Sequence, residues 1–357
     1  MSDTNPAFTE ASEPRWRSFL SVLAVVLVGI LGVIAAFIFV MDPHDHIIGS
    51  PEFKRAAINA NQRYSYPALA RKPHFDSAII GTSTSRMLQP KLLGATFGGS
   101  FVNLAMNSAT AYEQSRILDL FLRSRTKVRT LLFGVDSVWC DRQPSPAPYT
   151  PRPFPEWMYD DDPWNDLPHI VNGPTLEQAV RQLQYQQGSR EPRYGFDGYT
   201  SFVPPASQYD LAKVRKKLYG PSGQPAKRNQ TPGTLSDEER RSAGYGGMHR
   251  FARSLQAAPA DTRVLFWFVP YHNHRIPPPQ TKGGQWLSDC KQRVVELARQ
   301  IPRALVVDMM FESPTTLADT NYWDELHITL ALAETLPALL LRVAEGAEEV
   351  SARRLYP

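Results

Sequence analysis

Cysteine is scarce in this chain of 357 residues, where only Cys140 and Cys290 occur. Two cysteines cannot form a disulfide framework or a metal site made of cysteine alone, so both kinds of scaffold are excluded. One bridge between them would require an oxidising compartment. We expect two separate buried thiols instead, because a free cysteine in a protein interior behaves as a small hydrophobic group.

Basic and acidic residues are present in nearly equal numbers. The chain has 39 basic and 35 acidic residues, which leaves a net charge of +4 at neutral pH. Its Lys and Arg residues are scattered, whereas nucleic-acid-binding proteins gather them into a stripe with interleaved aromatic residues. No nucleic-acid partner is therefore expected, although the composition is compatible with an acidic small substrate.

Charged residues are missing altogether between Ser18 and Met41. Leu, Val, Ile, Ala and Phe dominate this run, which is long enough to span a bilayer as a helix. A cleaved signal peptide would have a shorter apolar region followed by a small-x-small site, whereas Phe39, Val40 and Asp42 surround the end of this one. The segment predicts an uncleaved signal anchor.

The distribution of basic residues around this span predicts its orientation. Arg15 and Arg17 precede it, while Lys54 and Arg55 are the first basic residues beyond it. By the positive-inside rule, the amino terminus lies in the cytoplasm of a single-pass inner-membrane protein and the globular part lies outside. The predicted parts are a cytoplasmic tail, a transmembrane helix, a stalk, a globular domain with one insertion, and a carboxyl-terminal tail: 1–17, 18–41, 42–72, 73–345 with insertion 141–246, and 346–357.

Short apolar runs alternate with segments of helical periodicity in the globular part. The predicted strands are 78–80, 100–104, 130–135, 263–269 and 304–308. The predicted helices are 90–93, 109–125, 248–256, 286–300 and 329–345. This alternation predicts an α/β fold with a parallel sheet and right-handed crossovers. In the insertion, which is rich in proline, only 176–185 and 209–218 have a helical pattern.

One predicted strand leads directly into a row of hydroxyl groups. The apolar residues 78–80 are followed by Gly81 and then by Thr82, Ser83, Thr84 and Ser85. This pattern predicts a buried strand and a tight turn that presents a hydroxyl at the edge of the sheet where α/β proteins bind ligands. On this stretch alone, capping of the next helix is the simpler explanation of the hydroxyls.

An acid and a histidine near the end of the chain favour the catalytic explanation. Asp324 precedes His327 by three residues, and an aspartate at that spacing can orient the imidazole and stabilise its protonated form. The pattern Asp-x-x-His also arises by chance in surface loops. Together with a serine at a strand-to-helix turn, however, it predicts a catalytic triad.

These motifs resemble those of the SGNH (GDSL-like) hydrolase superfamily, particularly its membrane-anchored members that take part in acyl modification of cell-envelope polymers. The resemblance covers 75–345 apart from the insertion and implies a three-layer α/β/α fold of the SGNH/flavodoxin-like kind. Gly81-Thr82-Ser83 is similar to the Gly-Asp-Ser block, which implies that Ser83 is the nucleophile. Ser85 is the rival, and Thr82 departs from the family's aspartate. Asp324 and His327 match the final block.

Two further blocks concern the oxyanion. The segment 103–108 resembles the second block, with Ser108 in place of a glycine whose N–H group binds the oxyanion, although an ordinary exit from a strand explains the segment equally well. In the third block Asp136 replaces an asparagine. Because an ionised carboxylate cannot donate a hydrogen bond, Asp136 must point elsewhere, be protonated or be neutralised. We hypothesise that Arg86 pairs with Asp136; the alternative is an ordinary surface arginine.

Two weaker features complete the candidates. His272 and His274 follow a strand, but two histidines without a third ligand favour a polar loop over a metal site, so neither a metal nor another cofactor is expected. A cluster of aromatic and acidic residues suits either a carbohydrate groove or an irregular cap over the sheet, and we favour the cap. Its members are Trp157, Tyr159, Asp160, Asp161, Asp162 and Trp164.

The sequence therefore predicts a serine esterase or O-acyltransferase that acts on an acylated glycan or another envelope polymer. His327 would take the proton of Ser83, Asp324 would orient His327, and the N–H groups of Ser83 and Ser108 would hold the oxyanion. The alternative is a non-catalytic binding or scaffold protein of an envelope-polysaccharide assembly, since Asp136 departs from the active-site pattern. In either case envelope-assembly proteins are expected partners.

Overall fold

The computed structural model of the protein describes residues 13–162, 164–225 and 230–356. In chain order, the helices α1 to α12 of these residues span Glu13–Met41, Gln62–Arg71, Pro90–Phe97, Ala111–Arg123, Leu167–Ile170, Gly173–Gln186, Leu211–Tyr219, Asp237–Ser242, Gly246–Leu255, Lys282–Ala298, Pro314–Leu317 and Leu330–Ala344. The strands β1 to β6 span Ser77–Ile80, Phe101–Asn103, Thr130–Val135, Arg263–Phe268, Ala304–Asp308 and Arg353–Tyr356.

The described residues form two compact units. One contains those of Met1–Arg55 and Asp162–Glu191, and the other those of Ala56–Asp161 and Pro192–Pro357. The first unit holds α1, α5 and α6, and the second holds the entire sheet. The long insertion predicted from the sequence is therefore divided between the two units.

Helix α1 has the character of a membrane span. The stretch Arg15–Met41 is 27 residues long, and only 6% of its most apolar part is buried. At 1.5 Å per residue, 27 residues measure about 40 Å, which exceeds the roughly 30 Å of a bilayer's hydrocarbon core. The prediction of an amino-terminal helix apolar and long enough to cross a membrane is confirmed.

The helix ends where the chain turns at Asp42, whose φ of +35° lies in the left-handed region. The Asp42 carboxylate accepts hydrogen bonds from the N–H groups of His46 (3.0 Å) and Ile47 (3.1 Å) and from the hydroxyl of Ser50 (2.8 Å). A short polar side chain that binds its own following backbone in this way stabilises a turn. The predicted stalk thus begins as an ordered turn.

The sheet has the order β2-β1-β3-β4-β5-β6. Strands β1 to β5 pair in parallel, and β6 pairs antiparallel with β5. Every residue of β1, β2, β3 and β5 is buried, as expected for parallel strands that have helices on both faces. Helices α3 and α12 pack together, and α4 packs against α2 and α9. The predicted α/β fold is confirmed.

Strand β6 lies within 346–357, which the sequence predicts as a carboxyl-terminal tail. The strand pairs with β5, and Arg353 donates a hydrogen bond to the buried carboxylate of Asp308 at 2.8 Å. A short strand with two adjacent arginines, Arg353 and Arg354, lacks the apolar alternation that identifies strands in a sequence. Charged side chains are nevertheless common on edge strands, where they discourage pairing with other chains.

The strand order places a crevice where Ser83 follows β1 and Asp136 follows β3. From β1 the chain moves to β2 on one side, and it then returns to β3 on the other side of β1. In an open parallel sheet the crevice at the carboxyl ends of two such strands is the usual ligand site. Both residues therefore reach the same crevice.

Cys140 and Cys290 form a disulfide with a Cα–Cα distance of 5.3 Å, so the expectation of two separate thiols is wrong. This separation lies within the usual range for bridged cysteines. The bridge joins the loop after β3 to helix α10 across 150 residues of sequence. Only the fold brings these segments together, and the sequence therefore left the pairing open.

Candidate active site

The turn after β1 separates the two rival serines. Ser83 begins a 3₁₀ turn, Ser83–Ser85, and is partly exposed, whereas Ser85 is fully buried. The two glycines of the strand ends make room for Ser85: a Cβ atom at Gly134 would lie 1.7 Å from the Ser85 Oγ atom, and one at Gly81 would lie 2.5 Å from it. Ser85 thus packs between the strands, and Ser83 carries the accessible hydroxyl.

The three residues of the expected triad lie in one hydrogen-bonded row. The Oγ atom of Ser83 lies 2.8 Å from Nε2 of His327. Nδ1 of His327 lies 2.8 Å and 2.9 Å from the two carboxylate oxygens of Asp324. With Nδ1 donating to the carboxylate, Nε2 is free to accept the hydroxyl proton of Ser83, as a general base requires.

The loop that carries Asp324 and His327 also holds the Asp324 carboxylate in place. The backbone N–H groups of Leu326 and His327 both donate to Oδ1 of Asp324 at 2.9 Å. Burial alone would raise the pKa of Asp324, but the hydrogen bonds from the ring and from these N–H groups lower the pKa below its usual value. The carboxylate therefore stays ionised and can stabilise an imidazolium.

Asp136 accepts hydrogen bonds from the β1 turn and its own loop. Its side chain accepts a short hydrogen bond from the hydroxyl of Thr82 and a 3.0 Å bond from the N–H group of Val138. The residue is only 2% exposed, and burial raises the pKa of its carboxyl above the usual value. Both oxygens are thus used by neighbouring donors, which is how the structure accommodates an acid at this position.

Arg86 does not pair with Asp136, and the hypothesis of that ion pair is wrong. Arg86 donates to the side-chain oxygen of Asn107 at 2.7 Å, and its guanidinium lies 4.6 Å from the ring centre of Phe202. Nor is Arg86 an ordinary surface arginine, since it is only 4% exposed. Its contacts tie the turn Ser83–Ser85 to the segment that contains Ser108.

That segment is held against the turn Ser83–Ser85 by Asn103. The amide of Asn103 donates to the carbonyls of Ser85, Arg86 and Leu88 at 3.3, 3.3 and 2.9 Å. Ser108 has a φ of +52°, in the left-handed region that glycine adopts without strain. Ser108 also lines a cavity of about 480 Å³.

A buried ion pair behind this segment was not apparent in the sequence. Arg63 donates to both carboxylate oxygens of Glu113, at 2.7 Å and 2.5 Å, and neither side chain is exposed. The same guanidinium also donates to the carbonyl oxygen of Asn107 at 3.3 Å and 3.4 Å. Because Arg63 and Glu113 lie 50 residues apart, no local pattern could have identified the pair.

Phe202, from the insertion, is a second residue that the sequence did not indicate. Its ring meets that of His327 edge to face, with the ring centres 5.2 Å apart, and it also covers the guanidinium of Arg86. The side chain is 38% exposed. An exposed aromatic ring beside a candidate general base is placed to contact the substrate.

The two weaker candidates support the structure around the site. His272 lies 3.1 Å from the carboxylate of Asp319, and its backbone N–H group donates to the carbonyl of Glu325, beside Asp324. Burial lowers the pKa of His272. In the aromatic and acidic cluster, Tyr159 is fully buried and donates to the carbonyl of Arg63 at 2.9 Å, as an anchor of the cap would.

The comparisons with known proteins add little to this geometry. No family model matches the chain, and no curated protein matches it. A solved structure described as "a putative platelet activating factor from Streptococcus pneumonia" is similar to 78% of this chain and 91% of its own, with 12% identity and a TM-score of 0.36. At this TM-score the likeness does not bear on the roles of individual residues.

Proposed function

We propose that this protein is a membrane-anchored serine esterase or O-acyltransferase that acts on an acylated glycan of the cell envelope. The observation that carries the proposal is the row Ser83, His327 and Asp324, with 2.8 Å between the first two residues and 2.8 Å between the last two. A serine, an imidazole and a carboxylate in this order form the apparatus of nucleophilic acyl transfer.

The reaction has two halves that use the same groups. The Oγ atom of Ser83 attacks the ester carbonyl while Nε2 of His327 takes its proton, and Asp324 stabilises the imidazolium that forms. The bond to the alcohol then breaks, and the alcohol leaves with the proton from Nε2. In the second half water or a sugar hydroxyl gives its proton to Nε2 and attacks the acyl carbon. The bond from that carbon to Oγ of Ser83 then breaks, Nε2 returns the proton to Oγ, and the acid or the new ester leaves.

The backbone N–H groups of Ser83 and Ser108 are assigned to the oxyanion. Asp136 is not a donor, because its oxygens accept from Thr82 and Val138. The family resemblance implies a third donor at that place, an asparagine amide. Loss of one oxyanion donor slows acyl transfer by about 10²- to 10³-fold in well-studied enzymes, so a modest rate is expected here.

Two observations support a location of the catalytic unit outside the cytoplasm. Helix α1 is apolar and long enough to anchor the chain in the inner membrane, with Arg15 and Arg17 near its amino-terminal end. The Cys140–Cys290 disulfide belongs to the catalytic unit, and disulfides persist mainly in oxidising compartments. An extracytoplasmic enzyme would meet envelope polymers and the proteins that assemble them.

Labelling with a fluorophosphonate probe tests the proposal directly. The probe should label the full-length protein in detergent micelles, and Ser83→Ala should abolish the labelling. Ser85→Ala is the matched control, because this buried serine lies two residues away and should leave labelling intact. Absence of labelling in folded wild-type protein would instead favour a non-catalytic scaffold, for which the acid at Asp136 is the supporting feature.

A further inference from the structure

A trough follows the carboxyl edge of the sheet from the Ser108 loop to helix α10. It consists of two adjoining cavities of about 480 Å³ and 370 Å³, which share Ser137, Cys140 and Arg142 in their walls. The first cavity begins at Ser108, and the second is lined by Trp286 and other residues. Together they have the size of pockets that hold a ligand larger than a simple acyl group.

Arg142 stands where the two cavities meet. Its guanidinium lies 4.3 Å from the ring centre of Trp286, and the side chain is exposed. Among the described residues, no carboxylate forms an ion pair with Arg142. A guanidinium that lies over an indole can keep N–H groups of its edge free, and that edge matches the two oxygens of a carboxylate.

The rest of the lining favours a negatively charged ligand with an apolar face. Arg275 adds a second guanidinium, which lies 3.8 Å from Glu325 in a mostly exposed ion pair and so is only weakly neutralised. Asp141 is the acid that lines the trough, and its Oδ1 atom accepts the N–H group of Gln143. Ile276, Pro277 and Leu287 supply an apolar wall.

We propose that this trough binds a sugar residue that carries a carboxylate, and that Arg142 donates a bidentate pair of hydrogen bonds to that carboxylate. The inference rests on the proposed function, since it makes the acylated glycan an acidic one. One face of a pyranose ring presents C–H groups that suit the apolar wall, and the carboxylate supplies the counter-charge that Arg142 lacks. The acyl-bearing sugar would then lie at the Ser108 end, where the N–H group assigned to the oxyanion is found.

Binding of unmodified oligosaccharides tests this inference without any ester. Trigalacturonate and maltotriose have the same number of sugar rings, but only the former carries carboxylates. By isothermal titration calorimetry, full-length wild-type protein in detergent micelles should bind trigalacturonate at least about tenfold more tightly than maltotriose. Salt should weaken the binding of trigalacturonate, because the contact is between charged groups near the surface.

Arg142→Gln should remove the preference for trigalacturonate, whereas Arg241→Gln should preserve it. Arg241 is an exposed arginine outside the trough, so the control has the same change of net charge. Equal binding of the two oligosaccharides by wild type, no binding of either, or an unchanged preference in Arg142→Gln would each overturn the inference. Because no bond is cleaved in this assay, its failure is distinct from a failure of serine labelling.

Discussion

Thr82 donates its hydroxyl hydrogen to the carboxylate of Asp136, and this bond joins the carboxyl ends of β1 and β3. The acid stands at the end of β3, and the hydroxyl stands at the end of β1. The two residues therefore form one hydrogen-bonded pair across neighbouring strands.

The buried carboxyl of Asp136 predicts that the stability of the protein depends on pH. Burial raises the pKa of Asp136 above the ordinary 3.8, so the folded state binds the Asp136 proton more tightly than the unfolded state does. The free energy of unfolding should therefore fall as pH rises from about 4 through the raised pKa. Asp136→Asn should remove this decline and stabilise the protein at neutral pH, measured as urea unfolding between pH 4 and pH 8.

Asp324→Asn provides the opposite sign as a control for that measurement. The pKa of Asp324 is lowered below 3.8, so its contribution to stability is present above that pH and is lost as pH falls through the lowered pKa. Loss of the carboxylate should therefore destabilise the protein at neutral pH. If Asp136→Asn and wild type gave parallel profiles, the carboxyl of Asp136 would have no raised pKa.

Asp324→Asn should also reduce catalysis sharply. An asparagine amide can donate to Nδ1 of His327, which would place the ring proton on Nε2 and prevent that atom from accepting the proton of Ser83. The kcat for 4-nitrophenyl acetate should fall by about 10³- to 10⁴-fold. Asp261→Asn, which changes an exposed acid just before β4, should leave kcat unchanged. A loss of less than about tenfold in Asp324→Asn would remove Asp324 from the mechanism.

The sequence predicted those parts of the molecule that depend on local patterns. Strands β1 to β5 are mainly runs of apolar residues buried on both faces, and such runs can be recognised from the sequence alone. Ser83, Asp324 and His327 were recognised from short motifs, and the structure brings them into contact. The sequence does not predict strand β6, because its two arginines interrupt the apolar pattern that identifies strands, although the strand pairs with β5.

Contacts between distant segments could not be predicted in the same way. The oxygen that accepts from Arg86 belongs to Asn107, 21 residues away, and the ring that covers Arg86 is Phe202, in the irregular insertion. Neither partner can be identified from the sequence, because asparagine and phenylalanine occur in many structural settings. The Cys140–Cys290 bridge likewise depends on how α10 packs.

The buried pair Arg63–Glu113 should be essential for the fold and for the Ser108 loop. Glu113→Gln leaves the charge of Arg63 buried without a counter-charge, which should cost about 3–5 kcal/mol in the free energy of unfolding. Since Arg63 also holds the carbonyl of Asn107, kcat should fall in the protein that remains folded.

The control for this pair is an ion pair that is largely exposed. Arg181 and Glu177 lie one turn apart on α6, with side chains 30% and 60% exposed, and Glu177→Gln should cost only about 0.5 kcal/mol. Urea unfolding of both variants gives the comparison. Similar losses of stability would show that burial does not strengthen the Arg63–Glu113 interaction.

Gly134→Ala should displace the turn Ser83–Ser85, although Gly134 itself lies in β3. The new Cβ atom would lie 1.7 Å from Oγ and 3.0 Å from Cβ of Ser85, and Ser85 has no space to retreat because it is fully buried. Overpacking of this kind costs about 1–3 kcal/mol. The shift of Ser85 should also move Ser83 away from His327 and reduce fluorophosphonate labelling.

A second substitution can test whether Ser85 is the cause. Ser85→Gly removes both atoms that the new methyl group would meet, so the double variant Gly134→Ala/Ser85→Gly should recover most of the labelling that Gly134→Ala loses. The coupling between the two sites should appear as a non-additive change in unfolding free energy. Gly173→Ala is the matched control, since no atom lies within 4 Å of a Cβ atom placed there. Additive losses would mean that Gly134 acts on the site by another route, because relief of the contact with Ser85 would then have restored nothing.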